Sequence, residues 1–121
     1  MSRIARLNEQ FRREVSEIIR TRVRDPRVGG VVVTGAEVTT DLFSAKILVQ
    51  LSSDTGERDQ QVIGLEKATP FIRGALGRTL TLRRVPELRF ISDDTLANAH
   101  RIEELLREVR PPQVEPEGGE E

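Results

Sequence analysis

Residues 67–91 read KATPFIRGALGRTLTLRRVPELRFI, and the order of signals in this stretch decides the fold. A helical pattern reaches it from about Glu57, carried by Val62, Leu65 and Ala68. Pro70 then lacks a backbone donor and crowds the preceding turn, so a kink or break is expected at Ala68-Thr69-Pro70. A second helical piece is expected from Phe71 to Leu80, and a strand over about Glu87 to Ile91 behind Pro86. The stretch also holds Lys67, Arg73, Arg78, Arg83, Arg84 and Arg89 against one acid up to residue 89, Glu87.

Upstream, Ile4, Leu7, Phe11, Val15, Ile18 and Ile19 recur at three- and four-residue steps and predict a first helix, ended by Pro26. Arg6, Arg13, Arg20, Glu9 and Glu17 take its opposite face. After a turn at Gly29-Gly30, a β-rich stretch runs from Val31 to about Thr39, with Gly35 marking a bulge. Asp41 to Ser44 reads as a hairpin connection, and Ala45 to Ser52 as a strand with Ile47, Val49 and Leu51 on one face. Downstream, Ser92-Asp93-Asp94 offers caps for a last helix with Leu96, Ile102, Leu105, Leu106 and Val109 inward, stopped at Pro111-Pro112. The expected fold is α+β: a three-stranded sheet with helices on one face. The domain is read as 1–110, followed by an acidic, disordered tail at 111–121.

A chain of 121 residues that is 36% hydrophobic is one domain with a modest core. No apolar run approaches the ~18–20 residues that span a bilayer, and no signal peptide is readable, so a soluble cytoplasmic protein with no membrane partner is expected. Cysteine is absent and His100 is the single histidine, which leaves no thiol nucleophile and no zinc cluster. His100 reads as a helical surface residue and Asp93-Asp94 as caps. With no phosphate-binding glycine motif either, no catalytic residue, metal, cofactor or small-molecule substrate is expected, and the chain is read as a non-enzyme. Gly74-Ala75-Leu76-Gly77 matches a G-x-x-G loop, but it falls inside a helical pattern and reads as helix packing or a softened helix end.

The net charge of −1 hides an uneven distribution. Residues 1–27 hold eight arginines against four acids, and residues 67–89 hold six bases against one acid. An acidic middle and tail cancel both blocks. Seventeen of the nineteen bases are arginine, whose planar fork suits phosphate. Arg73, Arg78, Arg83 and Arg84, with Arg6, Arg13 and Arg27 from the first block, are the candidate RNA contacts. With no Trp or Tyr, and with the four Phe falling mostly on apolar faces, folded RNA read by shape and phosphate fits better than stacked single strands.

Several local strings coincide with a known family. They are Arg24-Asp25-Pro26-Arg27, then Val38-Thr39-Thr40-Asp41-Leu42 with Ala45-Lys46, and Ala68 with Phe71-Ile72-Arg73. Leu82 through Phe90 follows, and then Asp93 with Ile102 and Leu105-Leu106. In this order and spacing the chain resembles the ribosome-binding factor A family of bacterial small-subunit assembly factors. The resemblance implies a type II KH-like domain in which an Ala-x-Gly kink joins a central helix pair. Ala68 matches that alanine, and Pro70 stands in the place of the glycine. It further implies binding to the immature 30S subunit through its 16S rRNA, a role in late maturation and 5′-end processing by separate nucleases, a link to growth in the cold, and a largely monomeric free protein. Two other readings of the residues are a general KH-type RNA chaperone and a protein-interaction module docking through its last helix or tail.

Overall fold

A computed structural model describes residues 2–93 of the chain. Its first helix, α1 (Arg3–Thr21), starts at Ser2, whose hydroxyl accepts the Ala5 amide at 3.0 Å. Phe11, Val15, Ile18 and Ile19 form its buried stripe. The helix stops before Pro26, because the stripe runs out: Arg22, the next position on it, is exposed. The Arg22 and Val23 amides both close on the Ile18 carbonyl, at 2.8 and 3.1 Å. Pro26 instead opens a single 3-10 turn, Pro26–Val28, capped by Asp25.

Strands β1 (Val32–Val38) and β2 (Ser44–Gln50) pair antiparallel, and β3 (Glu87–Ser92) joins β2 in parallel, so β2 is central. The bulge expected at Gly35 is present, as a register shift between Val33 and Gly35. It has a packing consequence. Strict alternation from Val33 would bury Gly35 and Glu37; the extra residue moves the inward set to Val33, Ala36 and Val38. These meet Ala45, Ile47 and Val49 of β2 and Leu88 of β3 under α1 and the second helix.

That second helix, α2 (Thr55–Thr79), begins at Asp54, whose carboxylate accepts the Glu57 amide at 2.9 Å. It continues through Pro70, so the two segments expected on either side of the proline form one uninterrupted element. Three local facts allow this. Pro70 and Glu66, whose carbonyl loses its usual donor, lie on the exposed side, where water can satisfy the oxygen. The Thr69 hydroxyl donates to the Leu65 carbonyl at 2.8 Å. Leu65 before the proline and Ile72, Ala75 and Leu76 after it are buried in one core, so parting the halves would expose that core.

Gly74-Ala75-Leu76-Gly77 is helical, with Ala75 and Leu76 fully buried, and is a packing element rather than a loop. A Cβ on Gly77 would stand 2.6 Å from Val85 Cγ2, whereas one on Gly74 would meet only the far end of Arg78 at 3.6 Å. Gly74→Ala is therefore expected to stabilise the fold by up to about 1 kcal/mol through helix propensity. Gly77→Ala is expected to destabilise it by about 1–2 kcal/mol through overpacking. Urea unfolding of both variants checks this, and a loss for Gly74→Ala would contradict the assignment.

α2 ends with the Leu80 amide on the Leu76 carbonyl and the Leu82 amide on the Gly77 carbonyl, both 2.9 Å. The latter is the six-to-one bond of a Schellman cap, whose left-handed position normally holds glycine. Here Thr81 occupies it at φ 56°. The left-handed conformation costs a β-branched residue roughly 1–2 kcal/mol, and glycine gives back about half of that in unfolded-chain entropy. Thr81→Gly is thus expected to raise stability by about 0.5–1 kcal/mol, read as a rise in Tm.

The last helix, His100 and the tail at 111–121 lie outside the described residues. No helix among the described residues is long and apolar enough to cross a membrane.

Candidate nucleic-acid interface

The topology brings several cationic segments to one end of the sheet. Because α1 packs along β1, with Asn8 Oδ1 accepting the Val38 amide at 2.8 Å, its N-terminal turns sit beside the β1–β2 hairpin. Arg3, Ile4 and Leu7 line one hollow with Thr40 and Leu42 of the turn. α2 departs from the other end of β2 and returns, so its last turn and residues 80–86 arrive at the same hairpin. The Glu87 amide donates to the Phe43 carbonyl at 2.9 Å, which locks the start of β3 to the turn.

This end carries Arg3 and Arg6 from α1, Arg78 from the last turn of α2, and Arg83 and Arg84 from the loop, all exposed. Arg13 continues the α1 stripe two turns further along, on the face shared by Arg3, Arg6 and Gln10. Arg3, Arg6, Arg78 and Arg83 have no side-chain partner among the described residues, and Arg13 has only the through-space attraction of Glu9, which Arg12 holds. Arg84 lies over the Phe43 ring, 4.6 Å from its centroid. By contrast, Arg12 and Arg20 are tied to Glu9 and Glu17 one turn earlier on the same helix.

Two of the sequence-selected arginines are engaged inside the fold. Arg73 donates from Nε to the Pro86 carbonyl at 2.9 Å and from a terminal nitrogen to the Val85 carbonyl at 2.6 Å, so it pins the loop that carries Arg83 and Arg84. Arg27 forms a fork with Asp25, with contacts of 3.0, 3.1 and 2.6 Å. Asp25 also accepts the Arg27 amide at 3.0 Å, and these bonds hold its carboxyl down at about 2. A carboxylate whose folded value is lowered adds stability above its unfolded value near 3.9 and loses that contribution as pH falls towards 2. Asp25→Asn is therefore expected to lower Tm by a constant amount above about pH 5, with the gap closing between roughly pH 4 and 2. A gap that kept its full size at pH 2 would contradict the ion-pair account.

A second basic surface escaped the sequence reading. Thr21 to Asp25, with Arg22 and Arg24 among them, line one groove with Lys67, Ala68 and Phe71 beside Pro70, and its one acid, Asp25, is paired with Arg27. The groove lies roughly 16 Å along α2 from Arg78, at 1.5 Å per residue. The Arg24-Asp25-Pro26-Arg27 string was the available signal, but only the 3-10 turn brings it against α2. Phe43 and Phe71, at 55% and 47% exposure, likewise depart from the expected apolar burial of the aromatics. Phe43 sits in the turn, outside the alternation of β2, and Phe71 follows Pro70 on the side of α2 away from the core. No metal-holding cluster exists among the described residues.

A family model described as Ribosome-binding factor A matches residues 3–106 of this chain. The chain belongs to the ribosome-binding factor A family. A relative from Pediococcus pentosaceus is 46% identical over 105 residues, covering 86% of this chain and 90% of the relative. One from Streptococcus mutans is 41% identical over 108 residues, covering 88% and 93%. Both are named ribosome-binding factor A, a family of binding factors and not of enzymes. Among solved structures, the crystal structure of ribosome-binding factor A from Thermus thermophilus is similar with a TM-score of 0.66 at 24% identity, covering 75% of this chain and 97% of that one. The likeness supports the α+β, KH-like fold. A homology model of Thermus thermophilus ribosome binding factor A, fitted into the cryo-EM map of its complex with the 30S subunit, has a TM-score of 0.57 at 25% identity over 69% of this chain and 88% of that one.

Proposed function

We propose that this chain binds the immature small ribosomal subunit through its 16S rRNA and acts in late maturation, including processing of the rRNA 5′ end by separate nucleases. The observation that carries the proposal is the exposed arginine group around the hairpin, in a chain with a net charge of −1, on the fold of a family of ribosome-binding factors. Phosphate contacts of this kind position a protein on RNA without reading sequence. Arg6, Arg13, Arg78, Arg83 and Arg84 are assigned to rRNA contact, and Arg27 and Arg73 to holding the frame. Release follows from differential affinity: a surface matched to the immature RNA conformation fits less well once the mature one forms.

Sucrose-gradient sedimentation of a lysate tests the reading. Co-migration with free small subunits and not with intact ribosomes, together with accumulation of 5′-extended 16S precursor on depletion, is the expected result. Equal affinity for unrelated folded RNAs would instead indicate a general chaperone.

A further inference from the structure

The β1–β2 turn presents an aromatic ring that the fold does not need. Phe43 is 55% exposed, and Leu42 beside it is held at φ 62°, the left-handed region that a branched side chain avoids. The turn is nevertheless fixed from several sides. Asp41 Oδ1 accepts the Thr39 hydroxyl at 2.7 Å and the Phe43 amide at 3.0 Å. The Leu42 amide donates to the Thr39 carbonyl, and the Phe43 carbonyl accepts from Glu87, both at 2.9 Å. Phe43 is thus anchored through both its backbone groups while its ring stands out. Arg84 covers one face of that ring. Arg3 lines the hollow beside Leu42, and Arg83 precedes Arg84 on the exposed loop, so the turn lies among positive charges.

We propose that Phe43 and Arg84 form a stacking platform for one unpaired nucleobase of the bound RNA. The proposal rests on the RNA-binding reading above and adds a single-stranded element to its target. A pre-set aromatic ring loses little side-chain freedom on binding, every base has a π-face to offer it, and a guanidinium stacked on the ring can also reach a neighbouring phosphate. An apolar protein pocket would also accept a phenylalanine. The surrounding arginines, unpaired among the described residues, favour a polyanion.

The test compares two RNA hairpins that differ only in one bulged 2-aminopurine, with binding of immature small subunits measured in parallel. The full chain is expected to bind the bulged hairpin about tenfold more tightly than the paired one and to quench its fluorescence. Phe43→Ala and Phe43→Leu should both abolish the preference and the quenching, leaving affinity for the paired hairpin and its salt dependence unchanged. Phe43→Trp should restore them. Unaltered thermal melting confirms that these turn variants fold. The platform is overturned if Phe43→Leu keeps the preference, if Phe43→Ala weakens both hairpins equally, or if the wild-type chain does not distinguish the hairpins. Subunit binding kept by Phe43→Leu and lost by Phe43→Ala would assign Phe43 to a protein pocket instead. Binding to neither hairpin nor to immature subunits would remove the RNA reading itself.

Discussion

Replacing Arg83 and Arg84 together by alanine is expected to weaken binding to immature small subunits roughly ten- to a hundredfold near physiological salt. Both side chains are exposed on the loop that reaches the hairpin, and neither has an acidic partner among the described residues. The diagnostic readout is the salt dependence. Each phosphate that is no longer neutralised lowers the slope of log affinity against log salt by about 0.7–0.9, so the double variant should flatten it by about 1.5. Arg12→Ala provides the control, because Arg12 is tied to Glu9 on its own helix. Binding titrations at several salt concentrations decide the matter, and an unchanged slope for the double variant would remove these two residues from the interface. Arg73→Ala should behave differently, lowering stability through the freed Val85 and Pro86 carbonyls more than it lowers the salt slope.

Ile72→Ala is expected to cost about 3–4 kcal/mol, the largest stability effect foreseen here. Ile72 is fully buried two residues beyond Pro70, where it anchors the second half of α2. Against a total stability of roughly 5–15 kcal/mol, that loss removes a large part of the margin. The neighbouring Phe71→Ala, at an exposed site, should stay within about 0.5 kcal/mol. Denaturant unfolding compares the two. Similar losses for both would mean that α2 is not held across the proline by its buried face.

The order of elements from α1 to β3, the inward face of β2 and the Gly35 bulge were legible in the chain because they rest on local signals: three- and four-residue steps in α1, two-residue steps in β2 and a glycine within the first strand. The Pro70 signal was also local, and it could not tell a break from a helix that carries on through the proline. The local reading weighed the missing donor and the steric clash but could not weigh Leu65, Ile72 and Leu76 buried in one core. The basic character of the surface was legible as two charge blocks; its composition was not. Arg73 and Arg83 look equivalent as letters, yet one donates to carbonyls 12 and 13 residues away and the other is exposed without a partner among the described residues.

The sequence by itself determined the elements from α1 to β3, the apolar faces of α1 and β2, the absence of thiol chemistry and, through strings spread over most of the chain, the family. Only the tertiary structure decided which arginines are available for RNA, that Lys67 joins Arg22 and Arg24 beside Ala68, and that Phe43 stands exposed under Arg84. The reason is physical. Periodicity is written between near neighbours, whereas a guanidinium's partner and a ring's exposure depend on which distant segments the parallel β2–β3 pairing brings alongside.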